Sequence, residues 1–364
     1  MYYKTSYTMG ILSLLIVPVA ICLFIPYFTH RFKLPTKYND ITISLVFQSF
    51  EHLRNHHLPK KDFIRLTEWA TRILKLRNSL EYVASENSVV IGDIHGHYED
   101  LYQIVMEHYN KRQMIFNGDY VDRGSQSIEV LTALMLMLCA SPNMIYPARG
   151  NHEDPEVHDM YGFKKECLKK YDNETYEIIC DFFRALPYSH VIGKSIICFH
   201  GFIPPNPITL IDITKLPRED EFIKDADMPE LASCLLWGDP HDEDGYKKSP
   251  RRSGYYIGGD ITKRFLKDNN LQMIIRSHEE KQEGFEYQHN NKTLTVFSAS
   301  KYDGGNNKAA VALVTYLEGV PKPVVLVDQL SNSYFMISFD LYTVFAVIII
   351  LICVAIVHLS IIFV

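Results

Sequence analysis

Gly92-Asp93-Ile94-His95-Gly96, Gly118-Asp119-Tyr120-Val121-Asp122-Arg123-Gly124 and Gly150-Asn151-His152-Glu153 decide the fold of this 364-residue chain. Each follows an apolar, strand-like run: Val89-Val90-Ile91, Met114-Ile115-Phe116 and Met144-Ile145-Tyr146. Polar residues that follow strands in this way collect at the C-terminal edge of a sheet, where α/β proteins build their sites. An Asp-x-His pair, a second Asp and an Asn-His pair on three successive loops make a mixed oxygen and nitrogen cage for metal ions.

Outward from these phrases the chain alternates strand and helix. Apolar residues recur at helical spacing from Lys60 to Leu80 (Phe63, Leu66, Trp69, Ala70, Ile73, Leu74), which predicts an amphipathic helix packed on the body. Leu101, Ile104, Val105 and His108 mark another helix, and residues 128–138 a more buried one. Later strand-like runs are 195–199, ending at His200, and 273–276, followed by His278. Residues 294–297, 309–316 and 324–327 complete the set. Early alternation and late hairpin-like strands predict an α/β fold of mixed sheets flanked by helices.

Two apolar stretches, 9–28 and 341–364, each meet the requirement of roughly twenty residues for crossing a bilayer as a helix. No small-x-small cleavage site follows the first, so it is expected to remain as an anchor. The expected organisation is an N-terminal anchor (1–33), a juxtamembrane linker (34–59), a catalytic domain (60–332) and a C-terminal anchor (333–364). Lys4 alone precedes the first span while Arg31, Lys33 and Lys37 follow it, which favours a cytosolic middle domain. The sequons Asn173-Glu174-Thr175 and Asn291-Lys292-Thr293 point weakly the other way. Five scattered cysteines outside the spans, with no CxxC pair, suit a reducing compartment. The formal charge of −6 offers no basic surface for nucleic acid.

Further phrases complete a pattern: His200-Gly201, Leu236-Trp237-Gly238-Asp239-Pro240, Arg276-Ser277-His278-Glu279 and Phe297-Ser298-Ala299-Ser300-Lys301-Tyr302. With the first three they resemble the catalytic domain of the phosphoprotein phosphatase family of dinuclear-metal Ser/Thr phosphatases, over roughly residues 60 to 330. Phe116-Asn117-Gly118-Asp119 and Tyr161-Gly162-Phe163 look most like the EF-hand-containing branch, with the tetratricopeptide-containing branch next. The chain has neither a calcium loop of that type nor a detectable helical repeat.

The resemblance implies a calcineurin-like metallophosphoesterase sandwich, with an apolar helix at each terminus supplied by the two stretches above. It implies two metal ions, for which Mn, Fe or Zn suit the ligand set better than Ca. Asp93 and His95 would hold the first, Asp119 would bridge, and Asn151, His200 and His278 would hold the second. It also implies in-line attack by a water acidified between the ions, with no phosphoenzyme. His152 would be the general acid and Asp122 its orienting carboxylate, Arg123 and Arg252 would clamp the phosphate, and Tyr302 would line the cleft. The expected activity is dephosphorylation of phosphoserine and phosphothreonine in proteins by a membrane-tethered enzyme. Two other readings share parts of the pattern. A dinucleoside polyphosphate hydrolase would carry the first three phrases but not the later ones. A catalytically dead membrane scaffold would have lost a ligand. The chain departs from the family at Phe202, where a second Gly is usual, and at Ser300, Lys301 and Asp303.

Overall fold

The computed structural model describes residues 32–84, 87–218, 229–251, 253–317 and 323–330. Among them are fourteen strands: β1 Leu80–Val83, β2 Asn87–Ile91, β3 Gln113–Phe116, β4 Ile145–Pro147, β5 Ser189–Ile192, β6 Ile196–Phe199, β7 Asp239–Pro240, β8 Tyr246–Lys248, β9 Tyr255–Ile257, β10 Met273–Arg276, β11 Phe285–Gln288, β12 Thr293–Val296, β13 Ala310–Thr315 and β14 Val324–Gln329. They form one sheet in the order β1-β5-β6-β10-β12-β11, a second in the order β14-β13-β2-β3-β4, and a small third, β7-β9-β8.

Both large sheets are mixed. β2, β3 and β4 run parallel, as do β6, β10 and β12, while β13 is antiparallel to β2 and β5 to β6. The two sheets face each other across a shared core. Ile196 and Cys198 of β6, Ile275 of β10 and Leu294 and Val296 of β12 meet Val90 of β2, Ile115 of β3 and Ala312 and Val314 of β13. The alternate residues of the first sheet, Val191, Ile197, Phe199 and Ile274, turn outward into a second cluster with Leu235, Leu236, Ile261 and Phe265. Residues one apart therefore line opposite faces and both faces are buried, which is why β6 is apolar at every position and β10 at all but its last.

The helix Ser127–Ala140 is buried on nearly every side, in keeping with its unbroken apolar run. Lys60–Lys75 is amphipathic, burying Phe63, Leu66, Ala70 and Leu74, and packs on Ser127–Ala140 and Asn173–Arg184. It stops five residues short of the expected Leu80, which instead opens β1. Residues 34–59, expected as a linker with some helix, contain the helix Ile43–Leu53, whose Val46, Phe50 and Leu53 are buried and which packs on Ser127–Ala140. Cys139, Cys167, Cys180, Cys198 and Cys234 are buried and unbridged. Among the described residues no helix is long and apolar enough to cross a membrane. The two expected spans, 9–28 and 341–364, lie outside those residues.

Candidate metal centre and phosphate cleft

Five of the strands end at one edge of the sandwich. β2 delivers Asp93 and His95, β3 delivers Asp119, and the loop after β4 delivers Asn151 and His152. From the facing sheet, β6 delivers His200 and β10 delivers His278. The loops are kept close by absent side chains: a Cβ on Gly118 (φ +93°) would lie 2.3 Å from the Gly150 nitrogen, and one on Gly92 only 2.1 Å from the Val296 oxygen. His95, Asp119, Asp122, Arg123 and His278 all have positive φ, a concentration of strained backbone of the kind that folds hold at functional sites.

The six expected ligands converge. Asp119 Oδ2 is 3.4 Å from His95 Nε2 and 3.4 Å from His200 Nε2, so one carboxylate oxygen stands between the two halves of the cluster. His95 Nε2 is 3.7 Å from Asp93 Oδ2. His200 Nε2 is 2.7 Å from Asn151 Oδ1 and 3.1 Å from His278 Nδ1. The outer nitrogens fix the tautomers: His95 Nδ1 donates to the Val121 carbonyl and His200 Nδ1 to that of Asn117, both at 2.8 Å, leaving each Nε2 lone pair turned inward.

The electrostatics show what the cluster lacks. Burial raises the Asp93 carboxyl to about 7 and pushes Asp119 well above its ordinary range, with the neighbouring Asp93 adding to it. Burial also drives His95, His200 and His278 well below theirs. Two buried carboxylates, an amide oxygen and three imidazoles gathered in one cluster fit divalent metal ions. His278 Nε2, buried with no hydrogen-bond partner, sits in the same cluster.

Above the ligands lies a cleft of about 260 Å³ lined by His152, Arg123, Arg251, Tyr302, Trp237 and Glu280, among others. His152 Nδ1 is 2.7 Å from Asp122 Oδ2, and Asp122 Oδ1 accepts from the Phe163 amide at 2.8 Å. Burial lowers His152 to about 3 and raises Asp122 to about 6, so desolvation disfavours charge on both partners. The 2.7 Å contact favours the opposite, charge-separated form, and an anion entering the cleft adds to that preference. The Arg123 guanidinium lies 4.2 Å over the Tyr161 ring and donates to Asp303 at 3.0 Å. The Tyr302 ring stands 5.0 Å from that of His95.

Arg252 lies outside the described residues. Its neighbour Arg251 lines the cleft and donates through Nε to Asp239 Oδ2 at 2.7 Å. Asp239 Oδ1 in turn accepts from the fully buried Arg276 at 2.9 Å. Phe202 is buried against Phe199 and His289, and its amide donates to the Cys234 carbonyl at 2.8 Å. The ring thus packs in the core. Glu153, two residues after Asn151, is a further residue of the site. It is fully buried and accepts from the amides of Asp119, Tyr120 and Gly150 at 2.8, 2.9 and 2.8 Å.

A two-sheet α/β sandwich with such a ligand edge defines the class of the metallophosphoesterases. The chain belongs to the calcineurin-like phosphoesterase family, whose model matches residues 87–281. It is similar to serine/threonine-protein phosphatase 5 of Arabidopsis thaliana, 36% identical over 314 residues, covering 81% of this chain and 57% of that protein. A probable serine/threonine-protein phosphatase of Encephalitozoon cuniculi is 33% identical over 264 residues, 71% of this chain and 57% of the relative. The chain thus spans little more than half the length of these curated relatives. A solved protein serine/threonine phosphatase of Saccharomyces cerevisiae, described as similar to human phosphatase PP5, superposes with a TM-score of 0.71 at 29% identity, covering 77% of this chain and 93% of that one.

Proposed function

We propose that this chain is a metal-dependent phosphatase acting on phosphoserine and phosphothreonine in proteins. The observation that carries the reading is the placement of Asp119 between His95 and His200, with His152 and two arginines over the same cleft. Asp93, His95 and Asp119 would hold one ion, and Asp119, Asn151, His200 and His278 a second, with Mn, Fe or Zn as the fitting metals. Two such ions neutralise phosphoryl charge and lower the pKa of water.

The remaining work belongs to the chain. Arg123 and Arg251 present planar guanidinium groups that bind phosphate oxygens in pairs. In this reading Arg251 takes the role that the sequence placed on Arg252. His152 is hydrogen-bonded through Nδ1, so its Nε2 is the atom that gives a proton to the departing Ser or Thr oxygen. Asp122 stabilises the imidazolium and fixes its orientation. Tyr302 and Trp237 wall the cleft.

The test is hydrolysis of a phospho-Ser/Thr peptide and of a dinucleoside polyphosphate, with and without Mn²⁺, by wild type and Asp119→Asn. Metal-dependent peptide hydrolysis lost in the variant supports the reading. Turnover confined to the nucleotide moves the chain to small-molecule phosphoesterases, and silence from folded, metal-loaded protein favours an inactive scaffold.

The apolar stretches 9–28 and 341–364 support a further part of the proposal, attachment to a bilayer with the catalytic body on the cytosolic side. Tethering raises the local concentration of membrane-bound phosphoprotein substrates. Release of the full chain from membranes by alkaline carbonate would refute it.

A further inference from the structure

Arg123 is already occupied. Its guanidinium stacks on Tyr161 and donates through one terminal nitrogen to Asp303 at 3.0 Å. Asp303 departs from the family pattern, and it stands next to Tyr302 and against Arg123, both of which line the cleft. It sits in the short turn Tyr302–Gly304 with φ 48°, directly after Lys301 and Tyr302, and Lys301 also has positive φ. The buried Asn307 pins this turn: its Oδ1 accepts from the Tyr302 amide at 2.7 Å and its Nδ2 donates to the Ala299 carbonyl at 2.8 Å. The Lys301 amide donates to the Asn307 carbonyl at 3.0 Å.

The other cleft arginine is held differently. Arg251 pairs with Asp239, a fully buried carboxylate anchored from behind by Arg276. That support is part of the core. Asp303 has a side chain 64% exposed, and among the described residues no side chain besides Arg123 holds its carboxylate. A carboxylate oxygen accepts from a guanidinium much as a phosphate oxygen does, so Asp303 and an incoming phosphate compete for the Arg123 Nη1 donor.

We propose that Asp303 is a positioning residue that holds Arg123 at rest and is displaced by the substrate phosphate, leaving its carboxylate at the cleft rim to favour a Lys or Arg beside the phosphorylated residue. Glu280, exposed at the same cleft, adds to this acidic rim. The inference rests on the phosphatase reading for its substrate but not for the competition itself, which inorganic phosphate alone can reveal. An exposed ion pair of this kind is weak, so the effect is about two- to fivefold.

The experiment compares wild type, Asp303→Asn and Asp303→Glu as Mn²⁺-loaded full-length proteins. Calorimetry measures binding of inorganic phosphate, and kinetics measure KM and kcat on phosphopeptides flanked by Lys/Arg or by Glu. The expected result for Asp303→Asn is about two- to fivefold tighter phosphate binding and a matching fall in KM on a neutral-flanked peptide, with kcat within twofold and a narrowed preference for basic flanks. Asp303→Glu should stay near wild type. Unchanged or weaker phosphate binding in a folded Asp303→Asn protein overturns the competition, and an unchanged flank preference overturns the rim. Tighter phosphate binding without any phosphopeptide turnover by wild type would instead refute the phosphatase reading.

Discussion

Glu153 touches neither the expected substrate nor the ligand atoms, yet its carboxylate ties three backbone amides from two loops. Those amides belong to Asp119, Tyr120 and Gly150, so the side chain sets the distance between the loop after β3 and the loop after β4. Burial pushes its carboxyl up to about 7, and the three amides offset part of that cost. Glu153→Gln keeps one acceptor oxygen and turns an amino group toward amide donors. The expected outcome is a loss of about 2 kcal/mol in urea unfolding of the metal-loaded protein, with weaker metal retention. A variant as stable and as metal-tight as wild type would show that the loops hold themselves. The ligands were legible because each stands right after an apolar strand within a recognisable phrase. Glu153 stood in one of the same phrases but gained a role only through folding, since which amides it meets depends on where two separate loops come together.

At the scale of elements, the site depends on how closely two sheets approach at one edge. Ser298, after β12, accepts from the Gly92 amide at 2.8 Å and donates to the Ala310 carbonyl at 2.7 Å, joining the end of β2 to the facing sheet. The contact leaves no space for a side chain at Gly92, where a Cβ would meet backbone of Val296. Gly92→Ala should therefore part the sheets beside Asp93, costing about 2 kcal/mol or more and weakening metal binding, as read by thermal unfolding with and without Mn²⁺. Wild-type stability would mean that the edge can widen freely. Strands such as β2, β6 and β10 could be read from the sequence because burial on both faces makes them unbroken or nearly unbroken apolar runs. The small sheet could not: β7 has two residues, and β8 is exposed at all three of its positions. Arg251, in the turn between β8 and β9, lines the cleft wall, and its place there follows from that hairpin and not from any apolar pattern the sequence displays.

Across the whole molecule, the ligand edge is where both halves of the sandwich contribute to one polar cluster. Asp93, Asp119 and Asn151 come from one sheet and His200 and His278 from the other, while burial opposes charge on both carboxylates. Bound cations reverse that penalty and link both sheets at once, so metal binding is coupled to global stability and not only to catalysis. At a hundredfold excess over the dissociation constant, each ion contributes about 2.7 kcal/mol, so two contribute about 5 kcal/mol. For a body of this size, chelation should lower the melting temperature by about 10 °C or more. Hydrogen exchange should locate the change, with amides after β2, β3, β4, β6 and β10, from both sheets, losing protection together. Re-addition of Mn²⁺ should restore both signals in wild type but not in Asp119→Asn, because that variant removes the oxygen shared between the two halves. Loss of protection confined to one sheet would mean that the ions serve only the chemistry and that the sandwich closes without them.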